Sequence, residues 1–309
     1  TRIPGGLVIS NLGDCALFAA MSGSSPATCA AIGKMGIPEM RKRGYPDEIA
    51  TGSIAAGGTL GILIPPSITM IVYGIATETS IGRLFLAGVV PGFLLMGLFM
   101  AWSIYATWAA GGRSAMPQTS YSWRERLEIL PRVLPFIAII LGVLYTMYGG
   151  VATPSETAAV GALLCLIVAM IIYRLTSFSA LWNVLRDSTK ESVMILFIIA
   201  AAGVFSYMLS SLYITQSIAE WISDLDVNRW TLMIAINVFL IIAGFFLPPV
   251  AVILMTAPIL LPVITGAGFD PIWFAVVLTI NMEIGLISPP VGLNLYVING
   301  IAPDISLRT

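Results

Sequence analysis

Long apolar runs alternate with short polar segments along the whole chain, and the runs fall into two kinds. Spanning a bilayer takes about 20 apolar residues, because each helical residue rises ~1.5 Å across a ~30 Å hydrocarbon core. Uninterrupted runs of this kind are Ile81 to Ala110, Leu130 to Tyr148, Glu156 to Tyr173 and Val193 to Leu212. Other runs are broken in the middle: Gly6 to Met40 by SGSSP (Ser22 to Pro26), Ile49 to Ala76 by GGTLGILIPPS (Gly57 to Ser67), Trp230 to Thr265 by LPP (Leu247 to Pro249), and Pro271 to Ala302 by GLISPP (Gly285 to Pro290).

Clustered Gly and Pro release backbone N–H and C=O groups that lipid cannot satisfy, so such breaks persist only where protein, ions or water supply partners. The breaks come in matching pairs. Pro38/Pro262, Gly44/Gly268, Gly61/Gly285, Pro65/Pro289 and Pro66/Pro290 align without a gap at a constant offset of 224 residues. GYPD (Gly44 to Asp47) thereby matches GFDP (Gly268 to Pro271), and GILIPPS matches GLISPPV. The pairing predicts a duplicated unit: a helical hairpin with a broken tip, a tight turn, then an interrupted helix.

The predicted fold is an all-α polytopic membrane protein with an inverted repeat, two re-entrant hairpins and two interrupted helices. Residues 1–76 form the first repeat, with its hairpin at 6–43 and interrupted helix at 49–76. Residues 77–230 are connecting and scaffold helices, and residues 231–302 the second repeat, whose hairpin starts at 230, ends at 265 and precedes an interrupted helix at 271–302. Residues 303–309 read as the start of a further segment. The opening Thr1, with no charged leader or cleavage pattern, reads as a chain that begins inside a longer protein.

Charge supports the inversion. Five crossings between the hairpins (49–76, 81–110, 130–148, 156–173 and 193–212) turn the second unit over. Arg41, Lys42, Arg43, Arg113, Arg124, Arg126, Arg132, Arg174, Arg186, Lys190 and Arg308 then share one side, which the positive-inside rule makes cytoplasmic. Arg83 and Arg229 fall opposite, beside Glu78, Glu156, Glu220, Asp224, Asp226 and Asp270. Tyr121 to Leu130 and Phe178 to Glu191 mix Trp, Leu and Arg and read as interfacial helices lying along the cytoplasmic surface.

Composition narrows the function. Of 309 residues 58% are apolar and 10% charged, and the net charge of −1 leaves no basic surface for nucleic acid. The chain has no His, which removes imidazole bases, His-ligated metals and His-dependent nucleophiles together. Cys15, Cys29 and Cys165 form no C-x-x-C pair, and neither a disulfide nor a transition-metal site is expected. The chain does not read as an enzyme.

Inverted repeats with interrupted helices meeting near the midplane are the architecture of secondary transporters. Around the first tip stand the hydroxyls of Ser22, Ser24, Ser25 and Thr28. Gly57, Gly58 and Gly61, flanking Thr59 and followed by Pro65 and Pro66, let backbone carbonyls approach an ion. Such hard oxygen ligands suit Na+, although small residues also permit close helix packing. The second half offers Pro248 and Pro249 at its tip, with Asn281, Glu283, Gly285, Ser288, Pro289, Pro290 and Asn294 on the facing helix. Glu283 reads as a cation ligand, a proton carrier or a carboxylate bonded to backbone; Asp14 in the first hairpin arm has the same standing.

The run SGSSPATCAAIGKMGIPEMRKRGYPDEIATGSIAAGGTLGILIPPS, followed much later by FLPPVAVILMTAPILLPVITGAGFDPIWFAVVLTINMEIGLISPPVGLNLYVINGIA, resembles the large membrane (M, DctM-like) subunit of tripartite ATP-independent periplasmic (TRAP) transporters. The resemblance implies an elevator-type importer in the bacterial inner membrane, driven by two or more Na+ ions and using no organic cofactor. Its substrates would be organic acids such as C4-dicarboxylates, sialic acid or related carboxylates. It also implies a small membrane partner subunit (Q) and a periplasmic substrate-binding protein (P). One Na+ site would lie between the Ser22 to Thr28 tip and the Gly57 to Gly61 break, and another between the Leu247 to Ala251 tip and the Asn281 to Pro290 break, with substrate between them. The sequence departs from the family at the second tip, where Pro248 stands in place of an acidic residue. The rival readings are a stand-alone channel, since broken helices also line filters, and a carboxylate/Na+ symporter without a binding protein.

Overall fold

The computed structural model describes residues 5–109, 123–214, 216–217, 220–221 and 227–306, with only the backbone of 123–132. Arg113, Asp224, Asp226, Arg308 and the side chains of Arg124, Arg126 and Arg132 lie outside the described residues. The described residues are helical throughout, without strands. In chain order the helices are α1 (Gly6–Ser22), α2 (Ser25–Lys42), α3 (Asp47–Leu63), α4 (Ile68–Thr77), α5 (Ile81–Ala109), α6 (Trp123–Tyr148), α7 (Pro154–Ile172), α8 (Phe178–Ser211), α9 (Arg229–Phe246), α10 (Pro249–Gly266), α11 (Pro271–Leu286) and α12 (Leu293–Ile301).

The offset of 224 carries α1 to α4 onto α9 to α12 with ends agreeing within a residue or so. Local chemistry places those ends. Gly23 takes φ 61° where α1 stops, and Pro26 enters the first turn of α2, where its missing N–H costs nothing. Gly44 at φ 77° and Gly268 at φ 79° make the same left-handed turn in both repeats. Asp47 and Glu48 open α3, and Arg41 and Lys42 close α2, each charge opposing the local helix dipole. In the second repeat Asp270 caps α11 by accepting from Ile272 N and Trp273 N at 2.8 and 2.9 Å.

The chain divides into two compact units: Thr1–Ser120 with Ala202–Thr309, and Tyr121–Ala201. In the first unit, α3 packs against both arms of the α1–α2 hairpin, and α11 packs chiefly against α9. Helix α5 packs on α1, α3, α4 and α11. The outer half of each interrupted helix crosses to the other repeat, α4 packing on α10 and α12 on α2.

Side-chain contacts fix the directions. Arg41 at the end of α2 reaches Asp47 at the start of α3 (2.9 Å) and Asp304 beyond α12 (2.6 Å). Tyr73 of α4 donates to the Pro271 carbonyl at the start of α11 (2.9 Å). The pair α3–α4 therefore runs from the Arg41 end to the Tyr73 end, and α11–α12 runs back. The two repeats are antiparallel, as the charge pattern predicts.

The second unit holds α6, α7 and α8 up to residue 201, with α6 packed on α7. A capping box starts α7: Thr153 Oγ1 accepts from Glu156 N, and Glu156 Oε2 accepts from Thr153 N. Helix α8 differs from the expectation of an interfacial helix followed by a separate crossing. It is continuous over 34 residues, about 51 Å at 1.5 Å per residue. No Gly or Pro lies between Phe178 and Ala202, so nothing ends the helix where its composition changes from polar to apolar. The segment expected at Tyr121 to Leu130 likewise runs into α6 from Trp123 onward, while its side chains lie outside the described residues.

Candidate functional site

The first hairpin tip meets the first helix break. Two hydroxyls converge on the backbone of Ser24: Ser22 Oγ and Thr28 Oγ1 are 3.0 Å apart, Thr28 Oγ1 donates to the Ser24 carbonyl at 2.8 Å, and Ser24 N donates to Ser22 Oγ at 3.4 Å. Ile68 N, opening α4, donates to the Gly23 carbonyl at 3.2 Å. Gly61 makes this approach possible, because a β-carbon on it would stand 2.6 Å from Ser24 O and 2.8 Å from Thr28 Oγ1. Gly23 is held as tightly, 2.7 Å from Pro66 O by the same measure.

Across the break, Ser67 closes the gap between α3 and α4. Its hydroxyl donates to Ile62 O at 2.5 Å and accepts from Met70 N at 3.2 Å. Ser67 was not among the sequence candidates, although a serine directly after Pro-Pro at a helix start is a recognisable cap. Pro65 is buried here, whereas Pro289 and Pro290 of the second break are exposed. Both Pro-Pro bonds are cis.

Three first-tip candidates have other partners. Gly57 lies against Leu12 and Cys15, and Gly58 against Cys29, at 2.9 to 3.0 Å for an added β-carbon. They seat α3 between the hairpin arms and do not face the tip; small residues in membrane helices serve this purpose generally. Thr59 is buried and spends its hydroxyl on its own helix, donating to Ala56 O at 2.7 Å.

The second set of candidates does not gather at one place. Asn281 donates to Asn237 Oδ1 at 2.6 Å, and Asn237 donates to Met233 O at 2.7 Å, which ties α11 to α9. Asn237 was missed, although an amide within the apolar run of α9 was its signal. Gly285 faces the backbone of Gly244, where an added β-carbon would stand 2.6 Å from the carbonyl oxygen. Val291 N donates to Phe245 O at 3.2 Å, anchoring the break below the tip. Pro248 is exposed, Pro249 opens α10, and Ser288 is half-buried beside the break.

Asn294 belongs elsewhere than the sequence reading put it. It leaves the second site and joins the first tip, because α12 packs on α2. Its Nδ2 donates to Ser25 Oγ at 2.8 Å and to Ala55 O at 3.3 Å, and its Oδ1 is buried with no hydrogen-bond partner among the described residues. Glu283 is also buried, 3% exposed, and neither carboxylate oxygen has a partner among the described residues. A carboxylate held this way in an apolar helix is costly unless a cation or proton joins it. Asp14, in α1, is exposed.

Helices long and apolar enough to cross a bilayer number six among the described residues, with α3 and α4 counted as one span of 31 residues. Together with the paired helix breaks they define a multi-pass membrane protein whose polar groups collect at interrupted helices. The family model for the DctM component of tripartite ATP-independent periplasmic transporters matches residues 2–308, and the chain belongs to that family. It is a transporter permease component and not an enzyme. The chain is 46% identical over 300 residues to the C4-dicarboxylate TRAP transporter large permease protein DctM of Pseudomonas aeruginosa, covering 97% of this chain and 70% of that protein. It is 40% identical to the protein of the same description in Vibrio cholerae (96% and 70%) and 38% identical to that in Rhodobacter capsulatus (96% and 70%).

Proposed function

We propose that the protein carries an organic acid across the bacterial inner membrane as the permease subunit of a Na+-coupled secondary transporter. The observation that carries this reading is the first tip: Ser22, Ser24 and Thr28 oxygens converge where Gly61 brings a helix break against them. Uncharged oxygens at an interrupted helix are the chemistry by which transporters hold Na+. Glu283, buried without a partner among the described residues, supplies anionic character to a second cation position between α11 and its neighbours.

The first tip meets an interrupted helix near its middle, and the second hairpin meets one just below its tip, which supports re-entrant hairpins that end inside the bilayer. The antiparallel repeats, residues 1–76 and 231–302, form one carrier body, and residues 77–230 connect and support it. Moving the acid together with its cations keeps charges paired, whereas a lone charge in hydrocarbon costs at least ~2.5 kcal/mol. This favours displacement of the body as an elevator over a fixed pore. C4-dicarboxylates are the favoured substrates, since the three relatives named above are described for them; sialic acid and other carboxylates form the wider class. A periplasmic binding protein delivers the acid, and a small membrane subunit covers part of α7 and α8, whose Leu163, Leu196 and Phe197 are exposed.

Uptake of a labelled C4-dicarboxylate into proteoliposomes, with the small subunit and binding protein supplied, tests this reading. An inward Na+ gradient is expected to drive accumulation, and omission of either partner to abolish it. Uptake that merely follows the substrate's own gradient would favour the channel reading instead.

A further inference from the structure

The inference rests on the Na+ reading above and extends it to a residue and a path. Asn294 lies in the second repeat, yet its side chain is fully buried at the first tip, where both Nδ2 bonds are made and Oδ1 is left without a donor. A buried amide oxygen costs free energy unless a donor or a cation meets it. Among the described residues, the fold's own hydrogen bonding does not supply that partner.

One residue removed from this amide, which does not itself line it, a cavity of about 160 Å3 opens between α3 and α12. Its lining includes Ala55, whose carbonyl accepts from Asn294 Nδ2, and Leu295, the next residue of α12. Its polar lining is Glu48, Thr51 and Asn299, and it extends to Ile305 and Ser306. That is the end where Arg41 pairs with Asp47 and Asp304. The volume holds several water molecules at roughly 30 Å3 each. Glu48 lends the entrance a negative charge, which raises the local concentration of cations.

We infer that Asn294 Oδ1 is a Na+ ligand contributed by the second repeat to the first site, and that the Glu48–Thr51–Asn299 cavity is the path by which this ion leaves toward the Arg41 end. Coupling follows from the geometry. Because the ion is held by the α1–α2 tip and by α12 together, its departure loosens a contact between the two repeats.

Two substitutions separate the ligand from the path. Asn294→Ala removes Oδ1, and it is expected to raise the Na+ concentration for half-maximal uptake about tenfold, the size of one lost charge-assisted contact. Gly52 lines the cavity, and an added β-carbon there meets nothing within 4 Å, so Gly52→Leu starts its side chain from open space and narrows the path. It is expected to lower the maximal uptake rate severalfold while equilibrium binding of 22Na+ to the purified complex stays unchanged. Uptake is measured in proteoliposomes with the small subunit and binding protein, and Na+-dependent thermal stabilisation is measured on the same complex. If the unaltered complex shows no Na+ activation, the Na+ reading itself fails. If it is Na+-activated and Asn294→Ala leaves the half-maximal concentration unmoved, the ligand assignment is overturned while that reading stands. A Gly52→Leu complex with the unaltered maximal rate overturns the path, whatever Asn294→Ala does to folding.

Discussion

Gly61 lies so close beneath Ser24 that a β-carbon on it would stand 2.6 Å from the Ser24 carbonyl oxygen. Gly285 repeats the relationship one helical turn lower on its own hairpin, against the carbonyl of Gly244. Each interrupted helix is thus seated on a hairpin backbone by a residue that has no side chain to spare. The first seat also holds Thr28 Oγ1, so packing and the polar cluster depend on the same glycine.

Gly61→Ala and Gly285→Ala are each expected to destabilise the protein by about 1–3 kcal/mol, the usual cost of forcing atoms into a filled site. Gly142→Ala in α6 meets nothing within 4 Å and is expected to be neutral or to stabilise by about 0.5–1 kcal/mol through helix propensity. Thermal unfolding of the three variants in detergent gives the ranking. Equal behaviour of all three would contradict the seating.

Removing hydroxyls at the first tip separates binding from folding. Ser24→Ala, Ser25→Ala and Thr28→Ala are expected to raise the Na+ requirement for uptake before they reduce expression. Thr28→Ala has the largest effect, because its hydroxyl alone touches both Ser22 Oγ and Ser24 O. Sodium activation curves of reconstituted variants measure this, and unchanged curves in all three would remove the first site from the account.

The Asn237–Asn281 pair is a structural tie between α9 and α11. A double-mutant cycle with leucine at both positions is expected to give a coupling of about 1 kcal/mol, in the range found for hydrogen bonds between membrane helices. Asn237→Leu leaves the buried Asn281 Nδ2 without its acceptor, Asn281→Leu leaves Asn237 Oδ1 without its donor, and each is expected to destabilise more than the double substitution.

Asp304 lies beyond the last helix, and the hydrogen bond from Arg41 holds its carboxyl below the usual aspartate value of 3.8. A carboxylate stabilised in the folded state contributes fully above its unfolded value and loses that contribution as pH falls through the lowered one. Asp304→Asn is therefore expected to destabilise slightly at neutral pH and to match the unaltered protein in strong acid. The difference should shrink in high salt, because both partners are exposed. Unfolding followed against pH at two salt concentrations checks it.

Much of the fold is legible in the sequence because Gly and Pro punctuate it at a fixed interval. The offset shared by Gly44 and Gly268 predicts turns that both prove left-handed, and the shared Pro-Pro pairs mark where both long helices stop. Less legible is which partner each polar residue meets. Asn294 reads as part of the second site by its place in the chain, yet packing of α12 across the repeats delivers it to Ser25. Gly57, Gly58 and Gly61 look alike in sequence, but helical phase turns the first two toward Cys15 and Cys29 and only the third toward the tip. The continuity of α8 escapes a reading based on hydropathy, which registers where composition changes and not whether the backbone has a reason to stop.

If hydroxyl and carbonyl oxygens at a hairpin tip and a helix break hold the ions that drive transport, the initial rate of C4-dicarboxylate uptake by the complete reconstituted transporter must follow external Na+ varied at constant ionic strength. The expected result is no uptake without Na+ and a sigmoidal rise, one ion for each interrupted helix, which flattens toward a hyperbola in Thr28→Ala. Uptake at full rate in potassium or choline alone would contradict it.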